Sequence, residues 1–203
     1  IHPTWSGARD TLVQAVGGYF RQSGQKCGIH PLYRLDRDTT GLLLVAKSAF
    51  AKHALTRSHQ EIYREYLAVC EGDLAEPRGR IHLPIGRVAE GVDQWMVRED
   101  GRPAVTDYEI LETGEDHTVL KIHLLTGRTH QIRVHFAHKG HPLVGDPVYG
   151  QRDPRIARQA LHAWTVRFRH PRTGKEIFLE APVPEDMKGL AGSRICTAGT
   201  SAE

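Results

Sequence analysis

At 203 residues, 39% hydrophobic and 25% charged, the chain is long enough for one globular domain with a core of ordinary size. A formal net charge of +3 and a pI near 8.8, with thirteen histidines in reserve, lean gently towards a polyanionic partner. Cys27, Cys70 and Cys196 are widely separated and form no CxxC pair, no apolar run approaches the roughly 20 residues of a bilayer span, and "IHPTWSGARD" lacks a signal pattern. A soluble, reduced, cytoplasmic chain without a cysteine-based zinc or redox motif is expected.

In chain order, "DTLVQAVGGYF" predicts a short amphipathic helix with Asp10 as N-cap and Leu12, Val16 and Tyr19 on one face. The apolar run "GLLLVAK" has strand length and predicts burial on both faces, and Ser48 then caps a helix through "AFAKHALTRSHQ". "YREYLAVCEG" alternates as a strand that ends at Gly72. Strands around 104–111 and 118–125 join as a hairpin at "TGED". Gly127 closes the second of these, and a helix follows from Thr129 to a stop at Gly140. "HAWTVRFRHPRTGKEIFLEAP" is a second hairpin that turns at "HPRTG", and residues 188–203 read as a loose tail. Strands outnumber helices and pair through short turns, so the reading is α+β: one domain, residues 1–203, on a mixed, largely antiparallel sheet flanked by helices.

Two stretches carry candidate chemistry. In "RLDRDTTG", Arg34 and Arg37 flank Asp36, and opposite charge nearby favours an ionised carboxylate able to act as nucleophile or general base. Two threonines and a glycine suit a tight turn that holds the acid, and Asp38 competes for the role. The bland alternative is a solvated charge cluster. In "LLTGRTHQIRVHFAHKGHPLVGDPVYG", Arg128 ends a strand while His130, Arg133 and Ala137 share a helix face, an arrangement suited to a phosphate or carboxylate at the helix N-terminus. A basic solvated face is the alternative. Histidines 123, 130, 135, 138 and 141 lack HExxH spacing, so no metal site is assigned. Tyr66, on an alternating strand, is either a core residue or a stacking platform for a base.

Together these segments resemble the RluA family of pseudouridine synthases. "YRLDRDTTG" stands for the family's HRLDxxTSG motif, with Tyr33 in place of the commonest His. "GRTHQIRVHFAHKGHPLVGDPVYG" matches its basic motif, "YREYLAVCEG" its tyrosine strand, and "LHAWTVRFRHPRTGKEIFLEAPVPEDM" its C-terminal hairpin. The resemblance runs from His2 to Met187. It implies a pseudouridine-synthase fold and an isomerase of RNA uridines, without cofactor or metal. The substrate would be ribosomal RNA of the large subunit first and tRNA next, and the protein a monomer. A preceding segment and any separate N-terminal RNA-binding domain are expected to lie outside this sequence.

Carried over by residue, Asp36 is the catalytic aspartate, Arg133 the arginine that pairs with it, and Tyr66 the tyrosine that packs against the base and assists proton removal or serves structure alone. Arg34 helps displace the flipped nucleotide, and Ile132 lines the pocket; Arg128 and His130 complete the substrate-binding set. Attack at C6 of uracil, attack at C1′ of ribose and a glycal route are three ways such a carboxylate serves. The rival reading is a non-catalytic RNA-binding module of the same fold, with a metal-dependent hydrolase behind it.

Overall fold

The computed structural model describes residues 11–57 and 62–196. In chain order the elements are α1 (Leu12–Gln22), β1 (His30–Pro31), β2 (Thr40–Gly41), β3 (Val45–Ala46), α2 (Ala49–Arg57), β4 (Tyr63–Glu71), β5 (Arg78–His82) and β6 (Ile85–Arg87). They continue with β7 (Trp95–Val97), β8 (Val105–Thr113), β9 (His117–Leu124), α3 (Gln131–His138), β10 (Leu161–Arg169), β11 (Glu176–Glu180) and α4 (Glu185–Cys196). The fold is α+β as expected, and the described residues group into two compact units.

The first unit takes in described residues of 1–35, 43–62 and 167–177. Thr11, rather than Asp10, which lies outside the described residues, caps α1: its hydroxyl accepts from Gln14 N–H while the Gln14 side chain accepts from Thr11 N–H at 2.9 Å. The face expected to be apolar is misplaced. Leu12 and Tyr19 are exposed and Gly17 and Phe20 are buried, with the Lys47 ammonium over the Phe20 ring. Ser48 caps α2 as anticipated, accepting from Ala51 N–H at 3.1 Å; the last predicted turn of that helix falls outside the described residues.

"GLLLVAK" is not one strand. Thr40–Gly41 pairs with β10 in parallel, whereas Val45–Ala46 pairs with β1 antiparallel. Residues 36–42 group with the second unit and the described residues of 43–62 with the first, so the run is shared between them.

The second unit takes in residues 36–42, 63–166 and the described residues from 178 onward. Its sheet runs β11-β10-β4-β9-β8-β5, with β2 added to β10. Both predicted hairpins are present. On β4, Tyr66 through Cys70 are all buried, so the strand is covered on both faces rather than half-exposed. Burial pushes the Cys70 thiol up to about 12, so it is an inert core residue.

The tail expected over residues 188–203 is replaced by helix for residues 188–196. They belong to α4, kinked at Gly192, and Met187, Leu190 and Ala191 pack on Leu67, Val69 and Val119. Gly189 and Gly192 hid this helix by lowering its apparent propensity, which burial overrides. Residues 197–203 lie outside the described residues. Strands β5, β6 and β7 also escaped the sequence reading, since each is short and Pro84 interrupts "RIHLPIGR". No described helix is long and apolar enough to cross a membrane.

Candidate active site

The turn that carries Asp36 is built by its own sequence. Thr39 N–H donates to the Asp36 carbonyl at 3.2 Å, leaving Arg37 and Asp38 at the tip, and Asp38 takes the left-handed conformation that aspartate tolerates better than most residues. The side chains of Arg37 and Asp38 point outward, 95% and 61% exposed, and meet only at 3.9 Å, while Asp36 is half-buried. The alternating charges therefore separate: one acid turns inward and its neighbours stay in water. Thr40 is fixed by a 2.8 Å hydrogen bond between its hydroxyl and His162 Nδ1, and Leu42 N–H donates to the Ala163 carbonyl at 2.9 Å. Gly41 is required between them. Its φ is +103°, and a Cβ there would collide with the Ala163 carbonyl.

Helix α3 begins at Gln131, two residues later than expected, after His130 in a left-handed conformation. The Gln131 side chain replaces the missing cap. Its oxygen accepts from Arg128 N–H and the Thr126 hydroxyl, and its amide donates to Val105 O and the Thr106 hydroxyl. Thr106 also meets His135 Nδ1, and His135 Nε2 donates to Leu83 O; burial holds this imidazole neutral. The helix is buried from Gln131 to Phe136, which rules out a solvated basic face.

Arg133 lies inside this buried stretch and its partner is Asp146. Nε meets Oδ2 and Nη2 meets Oδ1, both at 2.7 Å, with the two side chains 4% and 0% exposed. Asp146 Oδ1 also accepts from Val148 and Tyr149 N–H. Burial alone would push the Asp146 carboxyl up, but the guanidinium and the two N–H donors outweigh it and hold the carboxyl below its usual range. The same carboxylate outweighs the burial of Arg133 and keeps its guanidinium charged. The expected Arg133–Asp36 ion pair is absent from the ion pairs of the described residues; Asp36 acts on Arg133 at longer range, as a secondary charge. Asp146 wins because its fork geometry matches the guanidinium and leaves no buried charge unpaired.

Tyr149 joins the cluster together. Its ring lies 5.0 Å from the Arg133 guanidinium, and its hydroxyl accepts from Trp95 N–H at 3.0 Å and meets His130 Nδ1 at 2.8 Å. Burial lowers the affinity of His130 for a proton, partly offset by the Asp36 charge, and burial raises the Tyr149 phenol. Asp36 thus acts electrostatically on Arg133, His130 and Tyr149 alike.

The remaining predicted residues divide. Ile132 is buried beside Arg133 in α3, and Arg128 is half-buried with Nε donating to Pro103 O at 2.9 Å. Tyr66 is 4% exposed, on β4 opposite Ile122 of β9. Arg34 is an exposed residue of the first unit. The sequence reading gave no role to Asp146, Tyr149, His162 or Gln159. A signal for Asp146 was available: it is the one charged residue in "PLVGDPVYG", and a lone acid in an apolar run needs a buried cation.

The fold and this cluster define an α+β domain that presents one half-buried carboxylate near a buried, charge-paired arginine. The chain belongs to the RNA pseudouridylate synthase family, whose model matches residues 8–138, in keeping with the resemblance to the RluA proteins. It is 42% identical to ribosomal large subunit pseudouridine synthase D of Escherichia coli, covering 94% of this chain and 63% of that protein. The protein of the same name from Nitrosomonas europaea is also 42% identical, over 94% of this chain and 58% of that one. The chain thus spans about three-fifths of the length of these curated relatives. Among solved structures, human RNA pseudouridylate synthase domain containing 1 superposes with a TM-score of 0.67 at 31% identity, over 81% of this chain and 72% of that one.

Proposed function

We propose that this chain isomerises uridine to pseudouridine in RNA, with Asp36 as the nucleophile. The observation that carries the reading is the placement of Asp36: half-buried on a turn pinned to β10, within electrostatic reach of Arg133, His130 and Tyr149. The reaction detaches uracil from C1′, rotates it and rejoins it through C5, so no redox change or external group is needed. The target base must leave its stack at a cost of about a few kcal/mol, which basic side chains on the RNA backbone offset. Covalent attachment to Asp36 divides a difficult glycosidic cleavage into smaller steps. Tyr66 packs against the base or takes part in removing the C5 proton. Arg34, Arg128, His130 and Ile132 contact the substrate, Arg34 on the strength of its motif. Large-subunit ribosomal RNA is the first substrate class, because relatives 42% identical carry that substrate in their names, and tRNA is the next. A monomer at work in the cytoplasm completes the proposal.

The test is tritium release from RNA labelled at C5 of uridine, prepared from cells that lack the protein. Wild type is expected to release tritium and Asp36→Asn to release none, while RNA affinity changes no more than about a few-fold, since the substitution removes a reacting group rather than a binding surface. A variant that converts uridine at the wild-type rate would sink the assignment of Asp36. RNA binding without tritium release by wild type would favour the non-catalytic module.

A further inference from the structure

Arg37 and Asp38, the tip of the turn that carries Asp36, belong to no helix or strand, yet both of their carbonyls are taken. Gln159 Nε2 donates to Arg37 O at 2.6 Å and to the Thr39 hydroxyl at 3.2 Å. Arg158 Nη1 reaches Asp38 O at 3.3 Å. Gln159 is uncharged and 2% exposed, and a polar side chain so deeply buried needs its hydrogen bonds satisfied inside the fold. Arg158 is itself fixed, by a two-pronged pair with Asp186 at 2.8 Å on each arm and by hydrogen bonds to Gln159 O and Leu161 O. The orientation of the Gln159 amide follows from chemistry, since a carbonyl oxygen accepts and only the amide nitrogen can donate to it.

From this geometry we infer that Gln159, backed by Arg158, is a positioning residue for the Asp36 turn: its amide clamps the Arg37 peptide and the Thr39 side chain and so fixes where the Asp36 carboxylate stands. The clamp supports a turn that holds a non-glycine residue in the left-handed region, Asp38 at φ 63°, a conformation that aspartate tolerates at a modest cost which the surrounding hydrogen bonds offset. Reaction rate is sensitive to placement. A displacement of about 1 Å at a reacting group can cost up to about 100-fold. Both clamp residues lie outside residues 8–138 that match the family model.

The inference rests on the proposed isomerase activity, and the experiment separates the two. Gln159→Met keeps an unbranched side chain of similar length and deletes the donors. It is expected to lower kcat on RNA by about tenfold, with KM within about twofold of wild type and with the Thr39 amide exchanging faster. Val119→Ala, in the core beneath α4, is the comparison for lost stability and is expected to keep the wild-type kcat below its melting temperature. Wild-type kcat in a folded Gln159→Met variant, or an equal loss in Val119→Ala, overturns the inference. If Gln159→Met does not fold, Thr39→Val, which removes one of the two acceptors, is read by the same criteria. Inactive wild type overturns the functional proposal instead, and the Thr39 exchange rate still decides whether Gln159 holds the turn.

Discussion

At the scale of single residues, Arg133 is where the motif and the geometry part. The motif pointed to its position, but an ion partner thirteen residues away across a helix and a loop is a tertiary fact that local charge pattern cannot supply. The same holds for Asp36: its neighbours in sequence, Arg37 and Asp38, are solvent-facing, and what holds it comes from residues 159–163. Arg133→Ala therefore acts first through an orphaned Asp146, and Arg133→Lys is a poor rescue because an ammonium lacks the fork. Asp146→Asn leaves a buried guanidinium without its countercharge and is expected to cost about 3 kcal/mol, which lowers the melting temperature by about 10 °C in a chain of this size. The pH dependence has a definite sign. The folded carboxyl is held below its unfolded value near about 3.9, so the pair's stabilisation is complete above that value and is lost as pH falls through the folded one. Thermal melts of wild type and Asp146→Asn should differ most above about pH 5 and converge in stronger acid. A constant gap at all pH values would show that the carboxylate's charge is not what matters.

At the scale of elements, the hairpins and β4 were legible because alternation and turn residues are local signals, whereas β5, β6 and β7 were not. Strands of three to five residues fall below the length at which periodicity is readable, and their stability comes from what they touch. The β6–β7 ribbon shows this. Ile85 and Ala104 pack with Val134 of α3, and Trp95, Val97 and Tyr149 close over them. The Tyr149 hydroxyl is the polar tie, taking Trp95 N–H on one side and His130 on the other. Tyr149→Phe keeps the ring over Arg133 and removes only that tie, leaving a backbone N–H of β7 without its acceptor. The expected loss is about 1–3 kcal/mol, read by chemical denaturation, with amide exchange accelerated in β6 and β7 and unchanged in β4 and β9. Uniform acceleration across the sheet would mean that Tyr149 supports the whole unit rather than the ribbon.

At the scale of the molecule, the class of fold followed from the count of hairpins, but the end of the chain did not follow from its composition. Three glycines, at positions 189, 192 and 199, and a run of small residues look like a tail only while burial is unknown. In the fold, α4 closes the core: Met187 and Leu190 are 0% and 3% exposed against β4 and β9, the two central strands, and Asp186 anchors Arg158 and through it the Asp36 turn. Burial of two large apolar side chains stabilises by about 3–6 kcal/mol together. A folded domain holds only about 5–15 kcal/mol in total. A chain cut after Pro184 is therefore expected to lose most of its cooperative thermal transition, and Leu190→Ala in the intact chain to cost about 2–5 kcal/mol. Because α4 also sets Arg158, on the proposed activity any folded fraction of the shortened chain should convert uridine more slowly than its population alone explains. Circular dichroism melts with tritium release on the same samples check both statements, and wild-type melting of the shortened chain would return α4 to the status of a tail.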